Sequence, residues 1–209
     1  MTRQQFPLAD SLPVIGILRG YTALEVQHIM QCYETAGFRH IEVTLNTEGA
    51  LDMIRTARQQ HPQLHIGAGT VRTLPELQAA IDAGAQYAVT PILDETVIDY
   101  ALQHNFPILP GAYTPTEVYR AWNMGVPAVK LFPAVTGGLT HVKAILGPLD
   151  DIKLVPTGGV DEQNIRSFLA AGVYMVGMGS GLFPKAVIAA ADWTGLTQHL
   201  ENLEETIRS

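Results

Sequence analysis

The stretch ETAGFRHIEVTL, residues 34–45, joins the end of a helical pattern to a glycine and then to a short apolar segment. Gly37 suits a left-handed helix cap. His40–Leu45 is nearly continuously apolar, which is typical of a parallel strand buried on both faces. The same order recurs at Gly84, Gly125 and Gly172, at spacings of 47, 41 and 47 residues. The pattern therefore predicts a chain that repeats one strand–helix unit.

Eight short apolar segments recur along the chain, and helical patterns lie between them. They are Pro13–Leu18, His40–Leu45, Leu64–Ala68, Tyr87–Thr90, Phe106–Leu109, Ala128–Phe132, Lys153–Pro156 and Tyr174–Met178. In the first helical pattern, Thr22 and Glu25 have the spacing of a capping box. Eight alternating units favour a single (β/α)8 barrel, the TIM barrel, over the alternative of an open doubly wound sheet.

The whole chain, residues 1–209, is predicted to form one domain. Residues 1–12 are predicted to be an N-terminal extension or helix, and residues 195–209 a closing C-terminal helix. Hydrophobic residues make up 47% of the chain and charged residues only 16%. Such a composition excludes a disordered protein and indicates a large buried core.

Charge and cysteine usage exclude several classes of protein. A net charge of −7 argues against a general nucleic-acid binder. No apolar run is long enough to span a membrane, and the first residues lack the apolar core of a secretory signal, so we expect a cytoplasmic protein. The single cysteine, Cys32, excludes a disulfide framework. His61 and His65 are four residues apart, but Pro62 between them disfavours a shared helix face, so no metal site is expected.

Two ionisable residues interrupt predicted core strands. Strand alternation points Lys130 and Phe132 into the barrel, and it points Glu42 and Thr44 the same way from another strand. Desolvation would lower the pKa of the Lys130 amine and favour the neutral form, which attacks carbonyl carbon to form a Schiff base. A nearby carboxyl could move protons for that chemistry. The alternative is a structural salt bridge, in which Glu42 only neutralises Lys130.

Polar and glycine-rich segments follow several predicted strands, at the end of a barrel where active sites lie. Segments 156–160 (PTGGV) and 177–181 (GMGSG) follow the last two strands and could hold a phosphate with backbone N–H groups, or could be turns. Arg19 follows the first strand, where its fork of donors could clamp a carboxylate, or it could be a surface residue. Thr70 ends a glycine-rich strand and could donate to a ligand, or could only form a turn.

These segments together resemble the 2-keto-3-deoxy-6-phosphogluconate (KDPG) and 4-hydroxy-2-oxoglutarate (KHG) aldolase family, which includes a phosphogalactonate branch. The resemblance runs from about Leu12 to Phe183, and the motifs ILRG, IEVTLNT, IGAGTV, AVTP, KLFPA, VPTGGV and GMGS arrive in family order. It implies a class I aldolase on a (β/α)8 barrel, a homotrimer with no metal and no cofactor. Its substrate would be a small phosphorylated keto acid, without nucleic-acid or membrane partners.

The resemblance also implies roles for individual residues. It places the Schiff-base lysine at Lys130 and the acid/base glutamate at Glu42. It further implies a pyruvate-side pocket formed by Arg19, Thr70, Pro91 and Phe132. It also implies a phosphate site formed by Gly158, Gly159, Gly179 and Ser180.

Two positions disagree about the branch of the family. Asn46 stands where the better-known phosphogluconate members have an arginine that helps hold the substrate carboxylate. Since the phosphogalactonate branch has Asn there together with the arginine of ILRG, we assign the carboxylate clamp to Arg19. Thr157, however, resembles the phosphogluconate branch. The stereochemistry at substrate C4, gluco or galacto, therefore stays open at this stage, with the gluco substrate favoured.

Three other functions compete with an imine-forming aldolase. A phosphate-binding barrel isomerase or epimerase shares the two glycine-rich loops but needs no lysine inside a strand. A non-catalytic phospho-ligand sensor would bind the sugar acid but release no pyruvate. A metal-dependent aldolase would need a set of paired ligands that the seven histidines do not show.

Overall fold

The computed structural model describes residues 3–6 and 11–209, and it consists of parallel strands that alternate with helices. The strands are β1 (Val14–Leu18), β2 (His40–Thr44), β3 (His65–Gly69), β4 (Ala88–Val89), β5 (Ile108–Leu109), β6 (Gly111–Ala112), β7 (Val129–Leu131), β8 (Leu154–Pro156) and β9 (Val176–Met178). The helices are α1 (Ala23–Thr35), α2 (Ala50–Gln60), α3 (Leu74–Asp82), α4 (Glu95–Gln103), α5 (Pro115–Asn123), α6 (Ala134–Leu146), α7 (Ile165–Ala170), α8 (Lys185–Ala189) and α9 (Trp193–Arg208).

The strands form two parallel sheets. A curled six-stranded sheet has the order β5-β4-β3-β2-β1-β9, and a three-stranded sheet has the order β6-β7-β8. Pro110 separates β5 from β6, and one parallel bridge joins Thr157, just after β8, to Gly177 in β9. The parallel α/β fold expected from the sequence is confirmed, and each of the eight predicted segments overlaps a strand. The pattern did not predict β6, which follows a proline that cannot donate to the ladder.

The predicted helix ends are confirmed. The side chain of Thr22 accepts from the backbone of Glu25, and the side chain of Glu25 accepts in return, so α1 begins with a capping box. The four glycines that precede strands all have positive φ: Gly37, Gly84, Gly125 and Gly172, at 85°, 88°, 99° and 86°. This left-handed conformation ends each helix and turns the chain into the next strand.

The sequence predicts a structure for each end of the chain, and the described residues cover the C-terminal end more fully than the N-terminal end. Helix α9 covers Trp193–Arg208 and confirms the predicted C-terminal helix. Of the predicted N-terminal extension or helix at residues 1–12, residues 1–2 and 7–10 lie outside the described residues, and residues 3–6 are not helical. The Arg3 guanidinium donates to the carbonyl oxygens of Trp122 and Val126, at 2.7 and 3.1 Å, and fixes this segment to the domain.

The apolar core has two layers that follow the alternation of the strands. The larger cluster fills the space between strands and helices and contains Ile41, Val43, Val129 and Leu131. A second cluster lies on the opposite face of the strands, inside the curled sheet. Its buried members are Phe6, Ile15, Tyr87, Val89, Leu109, Ala128, Val155 and Met175. Residues of β2 and β7 that do not face the helices therefore point into this interior, as predicted for Glu42 and Lys130.

Glycines in β3 make room for large side chains in the interior. A Cβ added at Gly67 would overlap the ring of Tyr87, which is fully buried. A Cβ added at Gly69 would overlap the carboxylate of Glu42. Because both obstacles are buried groups, these glycines are required by packing as well as by strand geometry.

Among the described residues, no helix combines the length and the hydropathy that crossing a membrane requires.

Replacing Gly67 with alanine is expected to lower the free energy of unfolding by about 1–3 kcal/mol, because the buried Tyr87 ring cannot withdraw from the new methyl group. Urea denaturation measures the change. Gly147→Ala is the matched control: its φ is −56°, and its Cβ would lie 3.5 Å from the nearest atom, the carbonyl oxygen of Lys143. An equal loss in both variants would contradict the packing role of Gly67.

Candidate active site

Lys130 and Glu42 enter the interior from separate strands and line the same small cavity. Lys130 lies in β7 and Glu42 in β2, and their side chains are 3% and 1% exposed. The other lining residues are Ile15, Ile17, Val89, Leu109, Val155, Thr157 and Gly177. The cavity volume is about 10 Å³, which is roughly the space that one water molecule needs. An amine and a carboxyl thus share an otherwise largely apolar chamber.

Burial governs the protonation of both groups. It raises the pKa of the Glu42 carboxyl above its usual range, against the opposing charges of Lys130 and Arg19. It lowers the pKa of the Lys130 amine, and although Glu42 opposes this shift, Arg19 adds to it. Both shifts favour the neutral form, and no direct ion pair joins Lys130 to Glu42 within the described part of the chain. A neutral amine is the nucleophile that attack on a carbonyl requires.

One oxygen of Glu42 is left for another partner. Its Oε1 is buried and accepts no hydrogen bond from any described residue. A buried polar atom without a partner is costly, and such groups are common where a ligand or a proton is bound. The predicted carboxyl beside the amine is therefore in place, with an acceptor directed into the interior.

Arg19, whose charge acts on both buried groups, contacts Thr70. The guanidinium Nη2 of Arg19 donates to Thr70 Oγ1 at 3.3 Å, which joins the end of β1 to the end of β3. Thr70 has φ 58°, a conformation that is unusual for a β-branched residue and that recurs at functional sites. Arg19 is exposed and Thr70 half-buried, so both can reach a ligand that enters from solvent.

A larger cleft opens beside the small cavity. It has a volume of about 550 Å³, and it is lined by Lys130, Phe132 and the two glycine-rich segments with Gly158, Gly159, Gly179 and Ser180. Lys130 and Thr157 line both spaces. The amine therefore lies at the junction between a closed interior and an open cleft large enough for a six-carbon acid.

The glycine-rich segments are shaped by close neighbours. Gly158 and Gly159 have φ of 88° and 82°. A Cβ at Gly158 would lie 3.5 Å from the ring of Phe132, and one at Gly159 would overlap the side chain of Val135. Glycine at these two positions therefore lets the backbone N–H groups lie near the cleft. Any residue with a Cβ would be strained at either position.

Three predicted site residues, Thr70, Pro91 and Asn46, line neither the small cavity nor the cleft, although Thr70 contacts Arg19, which lines the cleft. Asn46 lines a separate groove of about 840 Å³ between α1 and α2, and not the cleft of Lys130. Pro91 lines neither space, although it lies against Gly111, which pairs with Lys130 in the sheet. The structure thus brings Arg19, and not Asn46, towards the buried pair.

Three polar residues that line the cleft were not predicted as site residues from the sequence. Tyr21, Asp161 and Lys185 line the cleft together with the glycine-rich segments. Lys185 had a detectable signal, because it is one of only four lysines and follows Ser180 by five residues. Tyr21 and Asp161 had none, since a tyrosine after a strand and an aspartate before a helix are common in any α/β protein.

No group of three or more histidine, cysteine, aspartate or glutamate side chains is placed to hold a metal ion among residues 3–6 and 11–209. His61 contacts Glu34 instead, with Nδ1 2.8 Å from Oε2.

A buried amine and a carboxyl inside parallel strands, open to a glycine-lined cleft at the carboxyl ends of those strands, are typical of a class I aldolase, a lyase that holds its substrate as an imine. Comparison with known proteins gives the family. The model of the KDPG and KHG aldolase family matches residues 7–199, and the chain belongs to this family. It is a carbon–carbon lyase of the aldolase type.

Named relatives agree with this assignment. The chain is 38% identical to a 2-dehydro-3-deoxy-phosphogluconate aldolase of Pseudomonas aeruginosa, over 88% of this chain and 83% of the relative. It is 36% identical to a KHG/KDPG aldolase of Escherichia coli, over 78% and 76% of the two chains.

Solved structures show the same architecture. One described as native KDPGal has a TM-score of 0.88 at 30% identity and covers 98% of both chains. Another is a KDPG aldolase of Legionella pneumophila with pyruvate captured as a covalent carbinolamine, with a TM-score of 0.87 at 28% identity over 93% and 95% of the two chains.

The pKa of Lys130 is expected to lie below the ordinary lysine value of 10.5, because burial opposes its charge. Glu42→Gln removes the carboxyl that raises this pKa, so the pKa should fall further in that variant. Titration of ¹³C-labelled lysine side chains by NMR measures both values, and Lys130→Met assigns the signal. A pKa that rises in Glu42→Gln would contradict this electrostatic account.

Proposed function

We propose that this chain is a class I aldolase that cleaves a 2-keto-3-deoxy-6-phospho sugar acid to pyruvate and glyceraldehyde 3-phosphate, with KDPG as the first candidate substrate. The observation that carries the proposal is the position of Lys130, which is buried with a lowered pKa and yet lines an open cleft. An isomerase or a sensor that only binds phosphate has no need of an amine in that position.

Catalysis begins with attack of the Lys130 Nζ on the C2 ketone. The carbinolamine hydroxyl takes a proton from the neutral Glu42 carboxyl and leaves as water, which gives a protonated imine, an electron sink. The Glu42 carboxylate formed in this step accepts the C4 hydroxyl proton, directly or through one water in the small cavity, as the C3–C4 bond breaks. The bond electrons move into the imine and leave an enamine, and glyceraldehyde 3-phosphate departs. The enamine takes a proton at C3, and hydrolysis of the new imine frees pyruvate and Lys130.

Arg19 and Thr70 hold the substrate carboxylate in this proposal. Their hydrogen bond at 3.3 Å joins the Thr70 hydroxyl to the Arg19 cation, which lines the cleft. The location of Asn46 in the groove between α1 and α2 supports the assignment to Arg19. Phe132 forms the wall beside the amine, with its ring centre 5.0 Å from Lys130 Nζ, and Pro91 supports the neighbouring strand.

In this proposal the phosphate binds at the glycine-rich segments of the cleft. Gly158, Gly159 and Gly179 offer backbone N–H groups, and Ser180 offers a hydroxyl. The phosphate site is remote from the bond that breaks, so its contribution is mainly orientation of the substrate.

Thr157 lies between the reacting centre and the phosphate end. It is buried, lines both spaces, and its hydroxyl donates to the Val155 carbonyl at 3.2 Å. Its position favours a role in the choice between gluco and galacto configurations at C4. Pyruvate release from both substrates, with 4-hydroxy-2-oxoglutarate as a third, measures this preference directly.

The proposal also covers the closure of the barrel and the state of the protein in the cell. We propose that the two sheets close into one (β/α)8 barrel, through the continuity of the chain from β5 to β6 and through the bridge from Thr157 to Gly177. A homotrimer in the cytoplasm, with the whole chain as one domain and no metal or other cofactor, stays a prediction.

Incubation with pyruvate and borohydride is expected to add a pyruvate-derived mass at Lys130, because only this lysine is both buried and open to the cleft. Peptide mass spectrometry locates the adduct. Lys130→Arg is expected to prevent labelling, whereas Lys143→Arg, at an exposed position of α6, should not. An adduct on Lys143, Lys153 or Lys185, or no adduct, contradicts the assignment.

Glu42→Gln is expected to slow turnover by roughly 10²–10⁴-fold, since the amide cannot accept the C4 hydroxyl proton. A coupled assay of pyruvate release measures the rate, and borohydride trapping at Lys130 should persist in part. Turnover equal to that of the parent enzyme would make Glu42 a structural residue.

A further inference from the structure

Lys185 is a charged residue of the cleft that the mechanism above does not use. It lines the same wall as the two glycine-rich segments, at the first residue of α8. The other two cationic residues of the cleft are Arg19, which contacts Thr70, and Lys130, which is buried among strands. Lys185 is therefore the cation that stands nearest in sequence to Ser180 and the second glycine-rich segment.

The chain between Ser180 and Lys185 is anchored, so the backbone of Lys185 has a fixed position. The backbone N–H groups of Leu182 and Phe183 both donate to the Gly179 carbonyl at 3.0 Å. The hydroxyl of Tyr21 donates to the Phe183 carbonyl at 3.1 Å, and the side chains of Leu182 and Phe183 are fully buried. From this anchored backbone, the flexible stem of Lys185 can move its ammonium group over the cleft.

The ammonium group of Lys185 is available to a ligand. None of the described side chains forms an ion pair with it. The acidic residue on the same wall, Asp161, is engaged with its own backbone, because its Oδ1 accepts from the N–H groups of Gln163 and Asn164 at 3.0 and 3.1 Å. Asp161 thus caps the turn before α7 and is not paired with Lys185.

We propose that Lys185 binds the phosphate group of the substrate and gives the enzyme its preference for a phosphorylated sugar acid over the same acid without phosphate. The proposal rests on the proposed function for the identity of the substrate. Backbone N–H groups and the Ser180 hydroxyl fix the phosphate in place, and Lys185 neutralises its charge. A chain of net charge −7 repels a dianion overall, so a local cation has a clear physical role.

The phosphate lies far from the bond that breaks. This distance determines which kinetic constant changes when Lys185 is replaced. Lys185 contacts substrate and transition state equally, so its loss should raise KM and leave kcat nearly unchanged. A merely structural residue would lower the amount of folded enzyme or change kcat for every substrate.

The kinetic test compares Lys185→Met with Lys185→Arg, and uses Lys143→Met, at an exposed position of α6, as the matched control. Lys185→Met is expected to raise KM for KDPG by about tenfold, with kcat within about twofold of the parent enzyme. KM should also become less sensitive to salt, and Lys185→Arg should restore most of the loss. An unchanged KM, or an equal effect in Lys143→Met, overturns the proposal.

A binding test separates this proposal from the proposed function. Titration of the parent enzyme with inorganic phosphate, followed by ³¹P NMR, needs no turnover. Weaker phosphate binding in Lys185→Met than in Lys143→Met supports the role of Lys185 even if no pyruvate is released from any sugar acid. Equal binding in the two variants overturns it even if the enzyme is an active aldolase.

Discussion

The placement of an amine and a carboxyl in one desolvated interior is the constraint on which the rest of the site depends. Burial lowers the pKa of Lys130 and raises that of Glu42, so both groups are driven towards their neutral forms. The cost of this arrangement is offset by the large apolar core around it. A glycine in β3 makes this arrangement possible, because Gly69 has no side chain and leaves the space that the Glu42 carboxylate occupies.

The salt-bridge interpretation of the two residues fails on geometry. A structural pair would place the Lys130 amine and the Glu42 carboxylate in direct contact, and no ion pair joins them within the described ranges. Instead, both line a cavity of about 10 Å³, and Glu42 Oε1 has no partner in the described residues. The cavity leaves room for about one water molecule between the two groups.

Much of this arrangement could be predicted from the sequence, because two regularities are local. Strand alternation alone placed Glu42 and Lys130 on the interior face, and helix-ending glycines such as Gly37 marked where strands begin. The overlap that Gly67 avoids with Tyr87 could not be predicted, since it depends on neighbouring strands brought together by the fold. The same holds for Asn46, whose position in a motif gave no sign that its loop faces the groove between α1 and α2.

The most direct test of the account is a crystal structure of the chain after reduction with pyruvate and borohydride. The account predicts continuous density from Lys130 Nζ to C2 of the pyruvate unit, with the carboxylate beside Arg19 and Thr70 and with Glu42 facing the new bond. Pyruvate bound without a covalent bond, or attached to any of the three other lysines, would contradict it.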